Sequence, residues 1–359
     1  MHRSDALPKP LDILRVRNKK EGILMSKHFR GEIWTNIDEN VLEAINKANL
    51  EPVTGCVGGD EYSKWAIDYV QSFFKDEIYA TFAINGTGAN IVAMKVMLPR
   101  YASIVCGEET HINVYEAGAF EYNLGNKIIE VETENGKLVV DSIKKKLGNL
   151  KKYKYLPKVI ILTQPTELGA LYTNDELKAI CDYAHENGMY VYIDGARIGN
   201  ALVSLNTNLT DMIEYADVDA FSLGGTKMGA MFGEMIIFRR KEFSENLAYI
   251  QKQTCQHFDR SKFMGVQFKC LLEDGLWLRN AKKGNENAKT LEKMFLEKGI
   301  KAYYPVEANM VFVPITDEQL DRITKVYDVH YWNEELKIVR FSATAKSDIS
   351  EMKKLMELI

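Results

Sequence analysis

The chain has 359 residues, 46% of them hydrophobic and 27% charged, with a formal net charge of −4 at pH 7. That length allows two domains and a substantial core, and the even mixture of acidic and basic residues argues against a polyanion partner, so neither nucleic acid nor an anionic membrane is expected. Five cysteines without a Cys-x-x-Cys pair, no apolar run near the roughly 18 residues of a membrane span, and no signal-peptide centre point to a reduced, cytoplasmic setting.

Residues 1–27, with Pro8, Pro10 and the basic cluster Arg15, Arg17, Lys19 and Lys20, have weak periodicity and read as an N-terminal arm. Val41, Leu42, Ile45 and Ala48 predict a helix over 40–49, started by Asp38 or Asn40. The glycine-rich stretch 54–60 is a loop, and 62–74 is an amphipathic helix. From Ile78 onward apolar strands are predicted at 78–84, 103–106, 127–131, 159–163, 190–194, 220–223 and 234–238. Helices lie between them, most clearly at 90–98, 141–147 and 174–187. Such alternation predicts an α/β fold with a mostly parallel seven-stranded sheet covered on both faces.

The stretch 242–279 reads as largely helical and 286–298 as a helix. Strands near 310–313 and 338–342, with helices near 317–326 and 348–358, predict a small C-terminal α+β domain closing a cleft. The expected division is an arm at 1–27, a large domain at 28–250 and a small domain at 251–359 that includes the connecting helix.

Polar residues gather where the apolar runs stop. Asn85-Gly86-Thr87-Gly88-Ala89-Asn90 follows a strand and opens a helix, which suits a phosphate cradle or, equally, a plain turn with Thr87 as cap. Asp194 ends a buried strand, where an unpaired carboxylate costs several kcal/mol. Its partner is either Arg197 in a structural ion pair or a protonated pyridine nitrogen. Lys227, after Gly224-Gly225-Thr226, suits a Schiff base in that apolar setting. Together these residues read as a pyridoxal phosphate site. His111, following the 103–106 strand, either stacks on a pyridine ring or is a surface histidine. Glu167 is a general base, a hydroxyl binder or a surface ion-pair partner, and Arg340, inside an apolar strand, needs an anion such as a substrate carboxylate. The other histidines have no metal-ligand spacing, so no metal is expected.

These residues carry a resemblance. Asp194-Gly195-Ala196-Arg197, Gly224-Gly225-Thr226-Lys227 with Gly229 and Glu234, Asn85-Gly86-Thr87 with Asn90, and His111 with Glu116-Ala117-Gly118 resemble low-specificity L-threonine aldolases. Those enzymes belong to the β-eliminating lyase superfamily of fold-type I, aspartate aminotransferase-like, pyridoxal 5'-phosphate enzymes. The resemblance implies that Lys227 carries the cofactor, Asp194 holds its pyridine nitrogen and His111 stacks on the ring. Gly86 and Thr87 would bind its phosphate, with Asn85 and Thr226 completing the cofactor set. Arg197 and Arg340 would grip an amino acid carboxylate, and Glu167 would stand near the substrate hydroxyl. It further implies cleavage of a β-hydroxy-α-amino acid of the L-threonine or L-allo-threonine type to glycine and an aldehyde, in a homotetramer built as a dimer of dimers with shared active sites.

Two departures from the family pattern are the Gly31-Glu32 pair, where a Ser-Asp pair is expected, and Val57, where a tyrosine is expected. They leave open β-elimination or racemisation with the same cofactor, and a cofactor-binding protein that has lost aldolase activity.

Overall fold

A computed structural model describes residues 27–55, 58–150 and 155–359. Nearly all of the expected arm, and Val57, lie outside the described residues. Strand β1 is Lys27–His28; the following strands are β2 Tyr79–Ala83, β3 Ser103–Gly107, β4 Lys127–Val131, β5 Pro157–Thr163, β6 Tyr190–Asp194, β7 Ala220–Gly224 and β8 Glu234–Phe238. Beyond them come β9 Met310–Pro314, β10 Tyr327–Asp328, β11 His330–Asn333 and β12 Ile338–Ser342.

Strands β2 to β8 form one seven-stranded sheet in the order β2-β8-β7-β6-β5-β3-β4. The pairs from β7 through β4 are parallel, whereas β8 runs antiparallel to both β7 and β2. Every residue of β3, β7 and β8 is buried, as expected when helices cover both faces. Two apolar clusters fill those faces, one around Phe221, Trp277 and Phe268, the other around Phe120, Tyr192 and Phe238. Among the described residues no helix is long and apolar enough to cross a membrane.

Register brings the chemistry to one edge. Gly224 and Ala83 both pair with Glu234, and Thr163 pairs with Asp194. The carboxyl ends of β2, β5, β6 and β7 therefore open on the same side, where open α/β sheets place ligands.

A second, three-stranded antiparallel sheet, β11-β12-β9, packs with the C-terminal helix Ile349–Glu357 and one end of the helix Leu276–Glu297. Phe29 joins this cluster, and β1 pairs with β10.

The strands were located closely by apolar runs, but some elements differ. The helix expected from residue 90 begins at Gly86, because the Asn85 side chain accepts the Gly88 N–H and caps it. Asn85, rather than Thr87, is the cap. The helix expected over 286–298 is the end of Leu276–Glu297. Strands β1, β10 and β11 are short and carry no alternation that would announce them.

Candidate active site

A cavity of about 330 Å³ at the sheet edge is lined by Lys227, Asp194, Glu167, His111, Gly86, Arg197 and Arg340, together with Arg30, Trp34, Tyr115 and His330. It thus unites seven of the residues singled out from sequence. A second cavity of about 270 Å³ is also lined by Lys227 and takes in Thr226. Thr87 lines neither.

The edge is built from tight backbone approaches. A Cβ on Gly195 would collide with the Ser222 carbonyl oxygen, and one on Gly224 with the Ala196 carbonyl, so both glycines are required for β6 and β7 to turn side by side. Gly86 is different: nothing lies within 4 Å of where its Cβ would be. It opens the helix Gly86–Met97 with free space above the helix N-terminus, the position that favours an anion.

Asp194 has no cationic partner among the described residues. Its carboxylate accepts from Asn90 Nδ2 at 3.0 Å and from the Ala196 N–H at 3.0 Å. Asn90 also donates to Glu116 Oε1 at 2.7 Å and accepts from the Tyr192 hydroxyl at 3.0 Å. Glu116 Oε1 in turn lies 2.8 Å from His111 Nδ1. One buried polar chain therefore fixes both the carboxylate beneath the cavity and the imidazole beside it.

Arg197 is not the partner of Asp194. Its guanidinium forks onto Glu32, Nε to Oε1 at 2.6 Å and Nη2 to Oε2 at 3.0 Å, and Asn309 Nδ2 also reaches Glu32 Oε1 at 2.6 Å. Burial would raise the Glu32 carboxyl, but Arg197, Lys227 and Asn309 together hold it well below the ordinary carboxylate range. Arg197 is thus neutralised within the chain before any substrate arrives.

Arg340 has no such partner. Among the described residues its one hydrogen bond is to the Arg30 carbonyl at 3.4 Å, and its Nε is buried without a partner. Burial and the charge of Arg197 push it down to about 10. The Arg340 guanidinium lies 5.4 Å from the Trp332 ring centre. It is a fork waiting for an anion.

Burial, reinforced by Arg197, lowers the Lys227 amine, against the opposing pull of Glu32, Asp194 and Glu234. A lowered amine is more often neutral and so more nucleophilic. Glu234, buried beside it, is raised by its own burial. Glu167 accepts from the His111 backbone N–H at 2.6 Å and from Thr163 Oγ1 at 2.9 Å, and burial raises it, with a smaller contribution from Asp194.

This set fits pyridoxal phosphate: an amine, an uncompensated carboxylate, an imidazole and a helix N-terminus with room above Gly86 border one cavity. A match to the β-eliminating lyase family model spans residues 34–318. The chain belongs to the β-eliminating lyase family. It is 33% identical to the low specificity L-threonine aldolase of a Pseudomonas species, over 83% of this chain and 87% of that one. With the enzyme of the same name from Pseudomonas aeruginosa it is 34% identical at the same coverage. The solved structure of threonine aldolase from Leishmania major superposes with a TM-score of 0.87 at 24% identity, covering 92% of this chain and 98% of that one. The fold is accordingly that of the fold-type I enzymes.

Within this β-eliminating lyase, sequence reasoning named seven residues that line the cavity but missed three features. Glu32 was seen only as a departure from a Ser-Asp pair, since nothing in the residues around it announces that its side chain is buried. The Glu116-Asn90-Asp194 chain was not foreseen, since its members are far apart in sequence. His330, Arg30 and Tyr115 were not singled out at all.

Proposed function

We propose that this enzyme is a pyridoxal 5'-phosphate-dependent aldehyde-lyase that cleaves the Cα–Cβ bond of a β-hydroxy-α-amino acid, of the L-threonine or L-allo-threonine type, to glycine and an aldehyde. The observation that carries this reading is the cavity shared by Lys227, Asp194 and Arg340, which no carboxylate among the described residues pairs with. Family membership and the two Pseudomonas relatives support the bond broken.

Lys227 would hold the cofactor through its amine, Gly86 and Thr87 would receive the phosphate at the helix N-terminus, and Asp194 would keep a proton on the pyridine nitrogen. His111, fixed through Nδ1 by Glu116, would lie against the ring. When bound, the cofactor supplies an electron sink for the pair left on Cα. Arg340 would take the substrate carboxylate and set the scissile bond across the ring. Arg197, already paired, shapes the pocket through Glu32 and lends positive potential. Glu167 would take the β-hydroxyl proton; the proton affinity that burial raises suits a general base. A homotetramer and a cytoplasmic location accompany this proposal.

The test is product identity. Holoenzyme incubated with L-threonine and L-allo-threonine is expected to yield glycine and acetaldehyde. Ammonia and an oxo acid from an amino acid with a β leaving group, without glycine from threonine, would overturn the reading in favour of β-elimination.

A further inference from the structure

Strand register sets His330 of β11 opposite Arg340 of β12, and both side chains line the cavity that holds Lys227. Facing residues of paired antiparallel strands keep their Cβ atoms about 4.5–5.5 Å apart and on one face. Imidazole and guanidinium therefore stand side by side on the same wall. Trp332 backs both, its ring 5.8 Å from the imidazole and 5.4 Å from the guanidinium.

Neither group is satisfied among the described residues. Arg340 has no carboxylate of these within ion-pair distance and a buried Nε without a partner. His330 has no hydrogen bond among the described residues, although it is largely buried. Of the other two arginines that line the cavity, Arg197 is occupied by Glu32 and Arg30 by Asp328. Gly31, at the same wall, brings no side chain. An anion entering here would find two adjacent donors that no carboxylate among the described residues pairs with, since Glu32 is held by Arg197 and Asp328 by Arg30.

We propose that His330 is a second ligand for the substrate α-carboxylate, its ring N–H donating beside the Arg340 guanidinium, and that carboxylate binding draws a proton from solvent onto the imidazole. This rests on the amino acid substrate proposed above. The charged groups that face His330 are Arg340 on β12, Arg30 in the segment after β1 and Asp328 on β10. Burial pushes the imidazole down to about 4, with Arg340 and then Arg30 adding to the shift and Asp328 opposing it. Asp328 is itself tied to Arg30 at 3.2 Å. A carboxylate on Arg340 cancels the larger cationic contribution and sets a negative charge against the ring. Proton affinity at His330 must therefore rise on binding, turning a neutral hydrogen bond into a charge-assisted one.

Glycine binding to the holoenzyme at about pH 5.5, followed by calorimetry in two buffers of different ionisation enthalpy, counts the protons taken up. Steps at the substrate amine are common to wild type and variant, so the difference between them reports His330. His330→Asn and His330→Gln are each expected to take up about half a proton less per site. In turnover they are expected to raise KM about tenfold, a larger change than in kcat. An unchanged proton count in both variants overturns the proposal even if affinity falls, because lost packing alone has that effect. Wild-type protein that binds no amino acid removes the functional reading as well; wild type that binds and cleaves threonine with the same proton count as the variants removes only the role of His330.

Discussion

Glu32 and Arg197 lie 165 residues apart in sequence and meet in a two-point ion pair that leaves the side chains 6% and 12% exposed. Removing one partner of a buried pair strands the other charge, at a cost of about 3–5 kcal/mol. Glu32→Gln is therefore expected to lower unfolding free energy by that order, read from denaturant titration. The sign with pH follows from the lowered Glu32 carboxyl. Its contribution is complete above the unfolded value of about 4.3 and is lost as pH falls below it. Wild type should lose stability through this window more steeply than Glu32→Gln, and parallel curves would contradict the pairing.

Arg340 should behave oppositely. A buried guanidinium without an anion is a cost to the free protein. Arg340→Leu is expected to leave thermal stability unchanged or raised while weakening amino acid binding on the order of a hundredfold. Stability loss without a change in KM would show that the side chain serves packing.

Glu167 is raised by burial, with a smaller part from Asp194. A base must be deprotonated to act, so kcat/KM is expected to fall as pH drops through that raised value, above the ordinary glutamate range near about 4.3. Glu167→Gln should lower the plateau by roughly 10²–10⁴ and abolish that acid limb. A limb that persists in the variant belongs to another group.

Gly195→Ala tests the edge itself. Because the added methyl meets a backbone carbonyl and not a flexible side chain, the variant should lose roughly 3 kcal/mol or fail to fold. Gly148→Ala is the control. Nothing lies near its Cβ position at the end of the helix Val140–Gly148, and its melting temperature should match or slightly exceed wild type.

The large sheet was legible because its strands are continuous apolar runs, buried on both faces and punctuated by turn residues. Tyr190–Asp194 and Glu234–Phe238 have the bounds the pattern predicts. Residues at strand ends inherit that legibility, which is why Asp194, Lys227 and Glu167 could be named. Partnerships across the fold could not, since no local pattern says that Arg197 turns to Glu32 and away from Asp194, or that Asn90 bridges two carboxylates. His330 escaped notice for a related reason: its importance comes from standing opposite Arg340 in a four-residue strand with no alternation of its own.

The carboxylate of Glu167 accepts the N–H of His111, the first residue of the helix His111–Val114. The Glu167 carboxylate and the His111 imidazole, the proton acceptor and ring neighbour of the proposed reaction, are therefore one mechanical unit. A side chain of different length at 167 would re-aim the backbone from which the imidazole hangs, and so alter the reaction on two sides at once. Any route by which this enzyme comes to handle a different β-substituent through position 167 must include a compensating change in the 107–116 segment, whereas changes at 330 carry no such tie.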